Sequence, residues 1–159
     1  MNNSQVAQLL HNMGTLLEIK GEIFFKIRAY FKAAENISSL SEDLQAMSDE
    51  GRLPEIPGVG KAIQEKITEY LVTGKMSAYE KLTQEIPETL LDIIRVPFVG
   101  TKKAKLFYEK CGVTDLAGLK RAAQNGELLK LEGIREKTVQ NILDGVALIE
   151  QRALDHENC

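Results

Sequence analysis

Apolar residues recur along this chain at intervals of three and four, the period at which side chains line one face of an α-helix. Val6, Leu9, Leu10, Met13, Leu16 and Leu17 predict an amphipathic helix that should end near Gly21. Ile27, Phe31 and Ala34 mark the main apolar face of a second helix, covering roughly Phe25 to Ile37. A short third helix is expected from about Ser41 to Glu50, closed by Gly51. Ala62, Ile63, Ile67, Tyr70 and Leu71 then form one stripe on a helix that should run to about Val72, with Gly74 stopping it. Ser77 and Glu80 have capping-box spacing and open a further helix that ends before Pro87. No convincing period-two strand pattern occurs, so the pattern predicts an all-α fold.

The stretch from Leu53 to Ile67, LPEIPGVGKAIQEKI, pairs a tight turn with an apolar helix start. Pro57 stops whatever precedes it. Gly58 and Gly60 remove two β-carbons, so the backbone can turn sharply with its N–H groups facing a visitor. The next helix points its positive end outward from the same place, and a phosphate fits best there. With Ile56, Val59, Ala62 and Ile63 at their spacings, the string looks like a helix-hairpin-helix motif, of the kind that grips DNA backbones without reading sequence. That resemblance implies phosphate contacts by the amides of Gly58, Val59, Gly60 and Lys61. It also implies that the carbonyls of Pro54, Ile56 and Val59 could hold a monovalent cation, Na+ or K+; no other cofactor is required.

The pattern returns twice. From Ile93 to Val113 the apolar residue, Pro97, the turn and a helix with Ala104 and Leu106 recur. Phe98 stands in the first glycine position and is expected to close off the amide face or force a different turn. Gly100, Thr101, Lys102, Lys103 and Lys105 would still offer a second phosphate contact, held more by side chains. The third echo, Leu128 to Leu143, keeps Leu131, Gly133 and Ile134, but has Glu132 for the proline and Arg135 for the second glycine. An acid would repel a phosphate, so this copy reads as structural. The organisation is therefore two small helical subdomains built on these hairpins, 1–86 and 87–152, followed by a frayed tail, 153–159.

A net charge of −3 argues against a protein that coats nucleic acid by bulk attraction, so any DNA contact has to be local. Between Gly100 and Gly112, Lys102, Lys103, Lys105 and Lys110 oppose only Glu109. No apolar run approaches membrane-spanning length and the N-terminus lacks a secretory pattern, so the reading is cytoplasmic, with no membrane partner. Cys111, Cys159, His11 and His156 show no metal or redox spacing. Lys26 and Tyr30, four apart, share one side of their helix. There an ammonium and a phenol could jointly hold a phosphate, or Tyr30 could pack at the core edge while Lys26 snorkels past it. Lys66 flanks its helix's apolar stripe, which suits a neutral, nucleophilic amine and equally a lysine snorkelling at the rim of a core.

The segments GEIFFKIRAYFKAA (Gly21 to Ala34), GRLPEIPGVGKAIQEKITEYLVTGK (Gly51 to Lys75) and VPFVGTKKAKLFYEKCGV (Val96 to Val113) resemble, in this order, the N-terminal part of bacterial family X DNA polymerases. These are repair polymerases related to the vertebrate polymerase beta, and the likeness runs from about Val6 to Ile149. It implies a lyase-type first subdomain that binds the 5′-phosphate in a DNA gap, and a second that contacts the duplex beside it. Lys66 matches the family's Schiff-base nucleophile, Lys26 and Tyr30 its 5′-phosphate ligands, and Glu65 an acid beside the nucleophile. A further phosphate-binding lysine is replaced by Ala62, with Lys61 adjacent. Ile23 and Phe24 stand where many bacterial members carry residues suited to beginning a helix. No Asp-x-Asp occurs, so polymerisation is not expected of this chain. The implied function is binding of gapped, nicked or duplex DNA, with deoxyribose-phosphate lyase activity as a hypothesis and a repair protein as an admissible partner. The rival reading is a non-catalytic scaffold whose hairpins contact proteins.

Overall fold

The inward-facing residues of the first helix, Val6, Leu10, Met13, Leu16 and Leu17, are all buried in the structure, a computed structural model that describes residues 2–157. This helix, α1 (Asn3–Lys20), ends where Gly21 takes φ 91° and donates its amide back to Leu17 and Glu18. The chain divides into two compact units, Met1–Ile86 and Pro87–Cys159. All its regular elements among the described residues are helical, and no helix is long and apolar enough to cross a membrane.

In the first unit α1 packs chiefly on α2 (Phe24–Ser38) and also on α5 (Ser77–Glu85). The core face of α2 is Ile27, Tyr30, Ala33, Ala34 and Ile37. Phe31, expected on that face, is only half-buried: it lies against Gly14, where a β-carbon would come within 2.8 Å of its ring, with His11 5.0 Å away. A glycine on the neighbouring helix thus seats the large ring at the edge and leaves Tyr30, 5% exposed, to face inward.

The third helix, α3 (Leu44–Asp49), begins three residues later than its pattern predicts. Asn3 sets the start. Its buried amide donates to the Glu42 carbonyl and accepts the Leu44 N–H, both at 2.8 Å, so a residue of α1 does the work of a local cap. A short 3-10 turn (Leu53–Glu55) then leads to α4 (Lys61–Thr73). Only Ile63 and Ile67 of its predicted stripe are buried; Tyr70 and Leu71 are half-buried and Ala62 is exposed. The capping box at Ser77 does not form. Met76 is the cap residue, and the Ser77 hydroxyl and amide both donate to the Glu69 carboxylate of α4, the amide at 3.0 Å.

The second unit holds α6 (Leu90–Ile94), α7 (Thr101–Cys111), α8 (Leu116–Gln124), a 3-10 turn (Leu128–Lys130) and α9 (Glu136–Glu157). Its core gathers Leu90, Ile93, Phe107, Leu119, Leu128 and Ile142, all fully buried. Phe107, not Leu106, anchors α7. Asp115 caps α8 by accepting the Gly118 amide at 2.7 Å. Of the tail expected from 153 to 159, the described residues continue α9 through Glu157, with Gln151 donating to Asp155 at 3.0 Å. Cys159 lies outside the described residues.

Candidate nucleic-acid interface

Three turns in this chain share one backbone. In the first, Gly58 has φ 82°, Val59 is buried and donates its amide to the Ile56 carbonyl at 3.1 Å, and Gly60 starts the helix by accepting the Gln64 amide at 2.9 Å. In the second, Phe98 has φ 73°, Val99 donates to Val96 at 3.0 Å, and Gly100 accepts from Ala104 at 2.9 Å. In the third, Gly133 has φ 83°, Ile134 donates to Leu131 at 3.2 Å, and Arg135 accepts from Val139 at 3.1 Å. Of the two outcomes expected at Phe98, the different turn is corrected: the phenylalanine adopts the left-handed conformation that glycine adopts elsewhere. It can do so because its ring leaves the fold altogether and stands 70% exposed.

The two glycines of the first hairpin answer to different demands. Gly58 is favoured by the fold, since its φ is left-handed and a β-carbon there would lie 3.1 Å from Lys32 Cγ. Gly60 is not. Its φ of −81° and ψ of 178° suit any residue, and a β-carbon would meet nothing within 4 Å. Gly100 repeats this, with φ −96°, ψ −172° and open space where a side chain would begin. At neither helix start does a side chain cap the amides. Of the four amides expected to meet a phosphate, that of Val59 is instead taken by the Ile56 carbonyl, while those of Gly58, Gly60 and Lys61, and of Ala62 and Ile63 after them, have no acceptor among the described residues.

The first turn is held from two sides that sequence reasoning missed. Asn36 of α2 donates to the Pro57 carbonyl at 2.6 Å, and Gln64 of α4 donates to the Val59 carbonyl at 3.1 Å. Of the carbonyls named for a monovalent cation, Ile56 accepts from Val59, Val59 accepts from Gln64, and Pro54 has no donor among the described residues. A carbonyl oxygen has two lone pairs, so all three keep at least one for an ion. In the second hairpin Lys102 is exposed, Lys103 and Lys105 are half-buried, and Lys105 reaches Glu109 at 4.0 Å.

Lys26, Tyr30 and Lys66 come together in a cavity of about 250 Å³ in the first unit, floored by Met13, Leu17 and Leu82. The Lys66 ammonium lies 6.0 Å from the centre of the Tyr30 ring, so α2 and α4 present them to one space. Lys20 of α1 and Lys81 and Glu85 of α5 complete the wall, giving four ammonium groups against one carboxylate. Lys20 binds Glu85 at 2.6 Å, and this hydrogen bond raises the lysine above its usual pKa and lowers the glutamate below its own. Lys26 reaches Glu22 at 3.5 Å. Lys61 and Glu65 lie elsewhere, on an open groove with Gln64 and Thr68. Neither one joins Lys66. The sequence did hold a signal for the missed lysine: Ala78, Lys81, Leu82 and Glu85 share one face of α5. Which face meets α1 depends on packing, which spacing alone does not supply.

The beginning of α2 departs from ordinary capping. Ile23 is the cap residue and offers no side-chain acceptor; Glu22 accepts the Ile23 amide instead, at 3.2 Å, and this bond lowers the Glu22 carboxyl below its usual pKa. Ile23, Phe24 and Phe25 are all exposed. Cys111 is a free thiol raised above its usual pKa, mainly by burial. No cluster of metal-binding side chains occurs among the described residues.

Comparison with known proteins agrees with this geometry. Residues 1–76 match the helix-hairpin-helix domain family, and residues 90–147 match the SAM-like helix-hairpin-helix tandem family. The chain is similar to the "DNA polymerase/3'-5' exonuclease PolX" of Bacillus subtilis (strain 168), 32% identical over 146 residues. The match covers 92% of this chain and 25% of that protein. It is also similar to the "ATP-dependent DNA helicase Hel308" of Pyrococcus abyssi (strain GE5 / Orsay), 36% identical over 90 residues, covering 57% of this chain and 12% of the helicase. The chain thus spans about a quarter or less of the length of these curated relatives.

Proposed function

We propose that this chain, which belongs to the helix-hairpin-helix family and corresponds to the N-terminal region of a bacterial family X DNA polymerase, binds DNA by gripping backbone phosphates with main-chain amides. The observation that carries this reading is the second glycine of each of the first two hairpins. Gly60 and Gly100 occupy positions where the fold would accept any residue, yet each leaves open space where a side chain would begin, at a helix start whose amides no side chain caps. A phosphate oxygen needs that space, because it must approach a backbone N–H to about 3 Å. Such contacts carry no base information, so recognition is of DNA structure. The third hairpin has Arg135 at the same position and serves as a brace. The carbonyls of Pro54, Ile56 and Val59 would hold Na+ or K+, adding positive charge beside the bound phosphate.

The finer part of the proposal concerns gapped DNA. The cavity of Lys20, Lys26, Tyr30, Lys66 and Lys81 suits a 5′-phosphate with a sugar attached. There Lys66 would attack the aldehyde carbon of an incised abasic site, lose water to form an imine, and promote removal of the C2′ proton with cleavage of the C3′–O bond. Hydrolysis then releases the sugar phosphate and restores the amine.

Borohydride trapping on a duplex with an incised abasic site tests this directly. The wild type should form a covalent adduct that Lys66→Ala and Lys66→Arg do not, while Lys66→Arg, which keeps the charge, binds the same DNA with the salt dependence of the wild type. Salt-sensitive binding without any adduct would remove the lyase and keep the grip. Binding indifferent to salt would remove the grip, and favour the scaffold reading.

A further inference from the structure

Phe98 is the strongest exposed feature that the proposed grip does not use. Its ring is 70% exposed, and its φ of 73° is a conformation that side chains with a β-carbon rarely adopt. The equivalent positions in the other two hairpins are Gly58 and Gly133. A glycine would therefore serve this turn better, and an exposed ring recovers nothing from the core. Its surroundings indicate what covers it. Phe98 is two residues from Gly100, whose amide face is open, and four and five from Lys102 and Lys103, which make no ion pair among the described residues. An aromatic face beside a phosphate-binding turn and free ammonium groups matches the chemistry of a nucleotide with an unstacked base.

We infer that Phe98 is a stacking residue that takes the exposed base at a strand discontinuity while the second hairpin holds a neighbouring phosphate. The inference rests on the phosphate-gripping reading and adds the reason for structure selectivity: only DNA with a gap or frayed end presents a free base face. In continuous duplex both faces of every base are already stacked.

The chain has no tryptophan, so Phe98→Trp installs a single indole reporter. Its emission should fall on titration with a one-nucleotide-gapped duplex and change little with the continuous duplex of the same sequence. In parallel, Phe98→Gly should melt at or above the wild-type temperature and keep its affinity for continuous duplex. Its affinity for gapped duplex should fall about fivefold to a hundredfold, the range that loss of one aromatic–base stack produces. Unchanged or tighter gapped-DNA binding by Phe98→Gly, with salt-sensitive duplex binding intact, would overturn the stacking role and leave the grip. Equal quenching by both DNAs would overturn it too. Failure of the wild type to bind either DNA in a salt-sensitive way would sink the grip itself, and this inference with it.

Discussion

Replacing Gly60 with alanine separates what the fold needs from what a ligand needs. At φ −81° and ψ 178° the new methyl group lies in an ordinary extended conformation with nothing within 4 Å. Restricting the unfolded chain stabilises by about 0.4–1 kcal/mol, and alanine is a poorer N-cap than glycine by up to about 1 kcal/mol. These nearly cancel, so urea unfolding of Gly60→Ala should stay within about 0.5 kcal/mol of wild type. Binding should not survive as well. On the proposed grip the methyl group would stand where a phosphate oxygen comes, and loss of one hydrogen bond to a charged acceptor is worth about 1.5–3 kcal/mol, about tenfold to a hundredfold in Kd. Fluorescence anisotropy with a gapped duplex at one fixed salt concentration measures this. Gly58→Ala is the paired control: its φ of 82° and the Lys32 contact at 3.1 Å should cost about 1–2 kcal/mol of stability. Wild-type affinity in Gly60→Ala, or destabilisation as large as in Gly58→Ala, would refute the reasoning.

Lys81→Ala should weaken binding to a gap bearing a 5′-phosphate by about twofold to fivefold and leave a 5′-hydroxyl gap unaffected; equal losses on both would place the phosphate outside the cavity. Glu69 has its carboxyl lowered chiefly by the Ser77 hydroxyl and then by the Ser77 amide. A lowered folded pKa gives stability that is complete above the ordinary carboxylate value of about 4.3 and is lost as pH falls through the folded value. Melting temperatures from about pH 5 to about pH 3 should therefore fall less steeply for Glu69→Gln than for wild type, and parallel profiles would mean that the bond to Ser77 is absent in solution. Exchanging K+ for tetramethylammonium at constant ionic strength should weaken duplex binding if the turn carbonyls hold a cation, and unchanged anisotropy would remove the ion from the site.

Much of this architecture was legible because it depends on neighbours in sequence. The helix ends at Gly21 and Gly74 follow from glycine's access to left-handed φ, and the first hairpin from a proline, two glycines and a buried valine at fixed offsets. What escaped depends on residues far apart in the chain. Asn3 sets the start of α3 from 41 positions away, Gly14 moves Phe31 off the core face, and Glu69 replaces a local cap eight residues later. The cavity divides the same way. Lys26, Tyr30 and Lys66 stood out by their helix positions and again by family resemblance, whereas Lys20 and Lys81 join them only because α1 and α5 pack together. Phe98 was legible as an anomaly but not as a preserved turn, since nothing in the sequence says where an out-of-place ring will go.

The open space at the second glycine bears on how such a repeat can change over generations. At Gly60 or Gly100 a single-codon replacement meets no steric barrier, so the proposed grip could be lost without passing through an unfolded intermediate. Arg135 is what the end of that route looks like, on a turn whose backbone is otherwise intact. The reverse route is equally open, because Arg135 has no left-handed strain to release. In the third hairpin a single Arg135→Gly change would open the space at the helix start, with Glu132 left in the turn to oppose a phosphate.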